Sequence, residues 1–291
     1  MFKIDDYSLY LVISEEFSPG KSSLEIAKLA ISGRVDIIQM REKNKPRDEL
    51  LKLASGLSKL CKENGVTFIV NDDPQIAGEA DADGVHLGQT DKKKYSIAEA
   101  RRILGKSGII GVSTHSLAEF DEANMDNDVD YIAYGPVFST ETKNYFLGTG
   151  SIKGALKIAR KPVVFIGGIN LSNVGDILVH GAKTIAVIRG ICQAEDIAGR
   201  ARSFKDRLVK EKEKKMTVRI NGEYETIDKG SDLAGIVAGK KPFLDTVVVE
   251  HNLRIVAKEE WPGIILREND QIEILSFMGG GQYGRSIEDR R

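Results

Sequence analysis

Between residues 8 and 210, short runs of β-branched and other apolar residues alternate with longer stretches in which apolar residues return every three or four positions. The first pattern is that of a buried strand and the second that of an amphipathic helix. Strands are expected at residues 8–13, 35–40, 67–71, 84–87, 108–113, 131–134, 163–166 and 184–187. Helices are expected at 22–32, 47–64, 97–104, 117–124, 152–159 and 174–180, with a last one from about residue 194. Only the third crossover, 74–80, is cramped. Eight βα units in about 200 residues fit a closed (β/α)8 TIM barrel better than an open, doubly wound sheet. The placement of polar residues agrees, because nearly every unusual one falls at the carboxyl end of a predicted strand. Barrel enzymes build their active sites there, from the βα loops.

The rhythm then changes. Residues 210–215 are all charged and read as a solvated helix end and linker, closing a barrel domain of residues 1–209. From Met216 a strand leads into an Asn221-Gly222 turn, a second strand at 224–227, a helix capped near Ser231, and strands at 247–250, 254–256 and 271–277. One helix with a mixed sheet in residues 216–281 predicts a small α+β domain of the β-grasp, ubiquitin-like type. It ends on Gly279-Gly280-Gly281, and residues 282–291 form a polar tail.

The strand ends carry the candidate chemistry. Gln39, Met40, Arg41, Glu42 and Lys43 close the second strand. Alternation sends Gln39, Arg41 and Lys43 to one side and the intervening pair to the other. Arginine forks onto phosphate and lysine acts as a point charge, so this side suits a diphosphate; the plain alternative is an exposed charged loop. Asn71-Asp72-Asp73-Pro74 and Gly88-Gln89-Thr90-Asp91 end the next two strands. A hard ion such as Mg2+ takes one or two carboxylates plus phosphate oxygens and water, which makes Asp72 and Asp91 its candidate ligands. Met singly, each such aspartate is as often an ordinary turn or cap residue.

After the fifth strand, Ser113 offers a hydroxyl that can donate to phosphate or cap a helix, with His115 nearby. His86 reads as a packed, hydrogen-bonded histidine without chemistry. The long sixth loop holds Thr140, Glu141, Thr142 and Lys143, suited to covering a substrate and to meeting anionic charge. Gly167-Gly168 and Ile188-Arg189-Gly190 occupy the phosphate position that recurs after barrel strands seven and eight.

Charge and cysteine content narrow the function classes. With 42 Lys+Arg against 43 Asp+Glu, the chain has no basic excess to hold nucleic acid or an anionic membrane. Cys61 and Cys192 form no metal or redox motif and read as reduced, structural thiols. No basic segment followed by an apolar core opens the chain, and no apolar run approaches the ~18 residues that span a bilayer, so a cytoplasmic protein is expected.

Taken in order, QMREK at 39–43, NDDP at 71–74, GVHLGQTD at 84–91, GVST at 111–114, GPVFSTETK at 135–143 and GGI at 167–169 resemble thiamine-phosphate synthase over residues 8–205. The resemblance implies coupling of a hydroxymethylpyrimidine diphosphate to a thiazole phosphate, with Mg2+ and release of pyrophosphate. It places the pyrimidine diphosphate on Gln39, Arg41, Lys43, Asn71, Ser113 and Lys143, with Met40 and Glu42 in the same run. Arg41, Lys43 and Lys143 would be catalytic, and Asp72 and Asp91 would hold the metal. Thr140, Glu141, Thr142, Gly168, Ile188 and Arg189 would hold the thiazole phosphate. Arg189 stands where the family commonly has a small hydroxyl residue.

Residues 216–281 resemble the thiazole-pathway sulfur carrier, whose terminal glycines, here Gly280 and Gly281, carry a thiocarboxylate. That resemblance implies a carrier-adenylating enzyme and a thiazole synthase as partners, besides the small-molecule substrates. Ten residues follow Gly281, and carrier chemistry needs a free glycine carboxylate. A tautomerase-like barrel and a non-catalytic carrier or scaffold protein are the alternative readings. Homo-oligomerisation is left open.

Overall fold

Eight parallel strands pair in sequence order, and the first closes onto the last. They are β1 (Leu9–Ile13), β2 (Ile37–Met40), β3 (Thr67–Asn71), β4 (Gly84–Leu87), β5 (Ile109–Thr114), β6 (Tyr131–Tyr134), β7 (Val163–Ile166) and β8 (Thr184–Val187). The helices between them are α1 (Ser23–Ser32), α2 (Arg47–Glu63), α3 (Pro74–Glu79), α4 (Ile97–Leu104), α5 (Leu117–Met125), α6 (Gly150–Ile158) and α7 (Val174–Leu178). The computed structural model describes residue 4 and residues 6–18, 20–89, 94–141, 143–240 and 247–276.

Local sequence explains where several helices begin. Ser22 and Ser96 each accept the amide of the glutamate three residues on, while that glutamate reaches back to them, forming capping boxes at α1 and α4. Asp73 caps α3 ahead of Pro74 at its first position. The expected TIM barrel is present, with strand bounds within two residues of expectation. The eighth crossover was not anticipated in full: a short helix, α8 (Arg189–Cys192), precedes α9 (Ile197–Glu213).

Two apolar layers hold the barrel. Outward-facing strand residues such as Leu11, Ile38, Val70 and Val112 pack against the helices, whereas Tyr10, Val12, Ile37, Ile69, Tyr131 and Val164 fill the interior. The free cysteines, Cys61 and Cys192, are buried, and burial pushes both thiols up to about 12. Such thiols stay protonated and unreactive at neutral pH, as structural cysteines should. Among the described residues no helix is long and apolar enough to cross a membrane.

The chain divides into two compact units, Met1–Glu211 and Lys212–Arg291. The charged stretch 210–215 is not a separate linker: α9 continues through it to Glu213, and β9 (Lys215–Ile220) starts two residues later. Spaced Lys and Glu residues favour helix as well as solvent, so composition alone does not separate the two.

The second unit adds β10 (Glu223–Asp228), α10 (Leu233–Lys240), β11 (Val247–His251), β12 (Arg254–Val256) and β13 (Gln271–Ser276). Its sheet has the order β10-β9-β13-β11-β12, with β9 and β13 parallel and the other pairs antiparallel. That is the expected β-grasp arrangement, with α10 and Trp261 closing a small core around Val218, Val249 and Ile272. Asn221 and Gly222 both have positive φ, as a two-residue hairpin turn demands. Asp232, rather than Ser231, meets the start of α10, accepting the Gly235 amide.

Candidate active site

The carboxyl end of the barrel opens into a cavity of about 410 Å3. Gln39, Arg41 and Lys43 from the end of β2, Asn71 and Asp72 from β3, Ser113 and His115 from β5 and Lys143 from the sixth loop all line it. Strand alternation puts the three β2-derived groups on this side.

The same alternation takes Met40 and Glu42 out of the site. Met40 is buried in the layer between barrel and helices. The Glu42 carboxylate accepts from the Glu15 amide at 2.8 Å and the Ser23 hydroxyl at 2.6 Å. Lys45 pairs with Glu15 at 2.8 Å, so the segment that carries Arg41 and Lys43 is braced from behind. Among the described residues, Arg41 and Lys43 themselves have neither an ion pair nor a side-chain hydrogen bond. Two cations in one cavity that no carboxylate pairs directly are a site for an anion.

Asp72 adopts the left-handed conformation, φ 66, which is uncommon outside glycine. Its amide donates to the His86 carbonyl at 2.8 Å, and its carboxylate accepts from Asn71. The backbone is therefore held in a sparsely populated state that turns this carboxylate into the cavity. Its proposed partner, Asp91, lies outside the described residues, as does Thr142.

Lys143 is positioned by its surroundings. Its ammonium lies 3.1 Å from His115 Nε2 and 3.1 Å from the Tyr145 hydroxyl, over whose ring it also sits. His115 Nδ1 lies 2.7 Å from the Gly135 carbonyl, an acceptor, so Nδ1 carries the proton and Nε2 is left to accept from Lys143. The sixth loop is tied down where it leaves the barrel: Val137 and Phe138 donate their amides to Ile166 and Gly167 carbonyls.

A second cavity of about 300 Å3 adjoins the first and shares Thr140, Ile166, Gly167 and Ile188 with it. Gly168, Glu141 and Arg189 line it too. Gly168 has φ +67, and a Cβ there would sit 2.5 Å from the Ser139 carbonyl oxygen, so loops six and seven touch only because this residue is glycine. Asn173 donates to the Gly168 carbonyl at 2.9 Å and holds the turn. Arg189 lies 4.8 Å over the Phe17 ring and pairs with the largely exposed Glu141 at 2.5 Å. An ion pair so open to water contributes little and can yield to a phosphate.

Some participants were not singled out by sequence reasoning. Gln89 donates to the Ser113 carbonyl at 2.6 Å, and Phe17 and Gln193 wall the second cavity. His86, read as merely packed, is indeed hydrogen-bonded through both ring nitrogens, yet it also reaches the first cavity. Tyr10 and Tyr131 are fully buried within the barrel. The available signal was chemical: a buried tyrosine hydroxyl needs a partner, and these two interrupt otherwise apolar strands.

Comparison with known proteins agrees with this geometry. Residues 9–191 match the family described as thiamine monophosphate synthase, and residues 207–281 match the ThiS family. The chain belongs to the thiamine-phosphate synthase family. It is 40% identical over 202 residues to thiamine-phosphate synthase of Halalkalibacterium halodurans, a match spanning 68% of this chain and 94% of that protein. It is 39% identical over 207 residues to the Methanospirillum hungatei enzyme, covering 70% of this chain and 98% of that one. Among solved structures, thiamine phosphate pyrophosphorylase from Pyrococcus furiosus superposes with a TM-score of 0.65 at 32% identity, covering 70% of this chain and 96% of that one. The barrel is thus that of a thiamine-phosphate synthase, a transferase, and a ThiS-type ubiquitin-like domain follows it.

Proposed function

We propose that the two adjoining cavities bind a hydroxymethylpyrimidine diphosphate and a thiazole phosphate side by side and join them with release of pyrophosphate. The observation that carries this reading is the shared wall of Thr140, Ile166, Gly167 and Ile188 between a cavity lined by Arg41 and Lys43, neither in an ion pair among the described residues, and a second one flanked by Arg189. Coupling two bound molecules requires such adjacency, because holding reactants in contact removes much of the entropic barrier.

In the first cavity Arg41, Lys43 and Lys143 face the diphosphate. As the pyrimidine C–O bond breaks, negative charge gathers on the leaving group, and these cations stabilise it more than they stabilise the ground state. The thiazole nitrogen, held by its phosphate in the second cavity, then forms the new C–N bond. No protein nucleophile is needed. The Asp72 carboxylate in the cavity fits a hard cation, and Asp72 with Asp91 would hold Mg2+ against the diphosphate. When bound, Mg2+ supplies further charge neutralisation of the pyrophosphate.

Formation of thiamine phosphate and pyrophosphate from the two purified substrates tests the reading; a tautomerase-like barrel would form neither. Within it, Arg189→Ser should raise the KM for thiazole phosphate about tenfold while kcat changes much less, since charge-assisted hydrogen bonds of this kind mainly hold ground state and transition state alike. Initial-rate kinetics with varied thiazole phosphate measure this, and an unchanged KM would show that Arg189 serves something else.

For the ThiS-type domain we infer a sulfur-carrier role, with an adenylating enzyme and a thiazole-forming enzyme as partners. Gly280 and Gly281 lie outside the described residues, and the support is the family match together with the β-grasp sheet. Carrier use requires cleavage after a terminal glycine. Intact mass of the protein from its native host should therefore end at Gly280 or Gly281, or show a thiocarboxylate there; a mass retaining the last ten residues throughout would remove the carrier role.

A further inference from the structure

Beneath the first cavity, side chains from six strands join in one continuous hydrogen-bonded chain. Ser113 Oγ lies 2.9 Å from His86 Nε2, and His86 Nδ1 lies 2.9 Å from the Tyr131 hydroxyl. The Tyr131 and Tyr10 hydroxyls are 2.9 Å apart, and Tyr10 reaches Gln39 Oε1 at 2.7 Å. Gln39 Nε2 contacts Asn71 Oδ1 at 2.5 Å, and Asn71 Nδ2 contacts the Asp72 carboxylate.

Distances alone do not give the direction of these bonds, but the last member does. An ionised carboxylate can only accept, so Asn71 must turn its NH2 to Asp72 and its oxygen to Gln39. Gln39 must then present its NH2 to Asn71 and its oxygen to Tyr10. Tyr10 therefore spends its only proton on Gln39, and Tyr131 must spend its own on Tyr10. Tyr131 can then only accept from His86, which makes His86 the Nδ1–H tautomer. A neutral imidazole of that form has a bare Nε2, and Ser113 must donate to it. Every bond points towards Asp72. Such head-to-tail chains are mutually strengthening in a low-dielectric interior. Burial also holds both tyrosines well above the usual phenol range, so their protons stay in place.

We propose that Tyr10 and Tyr131 are positioning residues for pyrimidine recognition: the chain they complete makes Ser113 an acceptor and Gln39 a donor towards the first cavity. The Ser113 proton is already given to His86, so only lone pairs remain for a ligand, and the remaining amide hydrogen of Gln39 is free to be given. This differs from the expectation that Ser113 donates to phosphate. An acceptor and a donor lining one cavity suit the two kinds of group on the edge of a 4-aminopyrimidine, its N–H and its neighbouring ring nitrogen. A 4-oxopyrimidine has the opposite pattern, a carbonyl beside N3–H. The inference rests on the pyrimidine reading of this cavity, but the tautomer it requires does not.

Two measurements test it. With only four histidines in the chain, 15N-labelled histidine can be followed by NMR, and His86 is expected as the Nδ1–H tautomer in the wild type. Finding the Nε2–H form would overturn the proposal whatever the substrate is. Second, 4-amino- and 4-oxo-5-hydroxymethyl-2-methylpyrimidine monophosphates, without an activated leaving group, are compared as competitive inhibitors. The wild type should favour the amino compound by about tenfold or more in Ki. Tyr131→Phe frees His86 to change tautomer, and the preference should fall at least fivefold, whereas a purely structural defect would weaken both compounds equally. Tyr10→Phe should act the same way and serves if Tyr131→Phe does not fold. An undiminished preference in a folded variant, or no preference in the wild type, would sink the assignment.

Discussion

Asp72→Asn is expected to lower turnover by about 10²-fold or more at saturating substrates and Mg2+, with the fold intact. The substitution keeps the size of the side chain but removes the charge that would hold the metal against the diphosphate. It also removes the carboxylate that ends the Ser113-to-Asp72 chain as its acceptor, so the direction of that chain is no longer imposed. The left-handed backbone at Asp72 tolerates asparagine well, so little of the loss should come from misfolding. Steady-state rates across a Mg2+ titration, with circular dichroism as the control, measure the effect. Wild-type turnover at matched Mg2+ would take Asp72 out of the metal site.

Gly111→Ala should be strongly damaging in the barrel interior. A Cβ at this position would lie 2.0 Å from Tyr131 Cζ and 2.4 Å from its hydroxyl oxygen. The ring sits in the space that Gly111 leaves empty, and it has no room to retreat, since Tyr131 is 1% exposed. Overpacking of this kind costs about 1–3 kcal/mol, which for a barrel of this size corresponds to a fall in Tm of several degrees. Activity should fall further than stability, because the displaced hydroxyl is the middle of the hydrogen-bonded chain. Calorimetry and kinetics on Gly111→Ala and on Gly111→Ala/Tyr131→Val separate the two effects. With the ring gone the alanine should cost nothing further, so the double variant should match the Tm of Tyr131→Val alone, without recovering activity. An unchanged Tm in the single variant would show that the interior accommodates the methyl group.

The strands of the barrel were legible as short continuous apolar runs buried on both faces, and most helices because each buries one face and so writes its period into the sequence. The run from Gln39 to Lys43 was legible because alternation along β2 separates Gln39, Arg41 and Lys43 from Met40 and Glu42, and the structure follows that division. Resemblance, which copies whole runs, did not make the distinction, and it carried Met40 and Glu42 into the site. The helical course of residues 210–213 was not legible, since a charged run suits a solvated helix and an extended linker equally.

What the amino-acid order determined alone is the set of elements, their period, the two-part organisation and the kinds of group delivered to each strand end, because these depend on neighbours a few residues apart. What only the closed barrel decided is which groups share a space and in which direction their protons point. Tyr10 and Tyr131 are 121 residues apart, and their hydroxyls meet at 2.9 Å only because the cylinder brings opposite strands to one axis. Hydrogen-bond direction is set by the acceptor at the end of such a chain, and no local pattern in the sequence records where that chain ends.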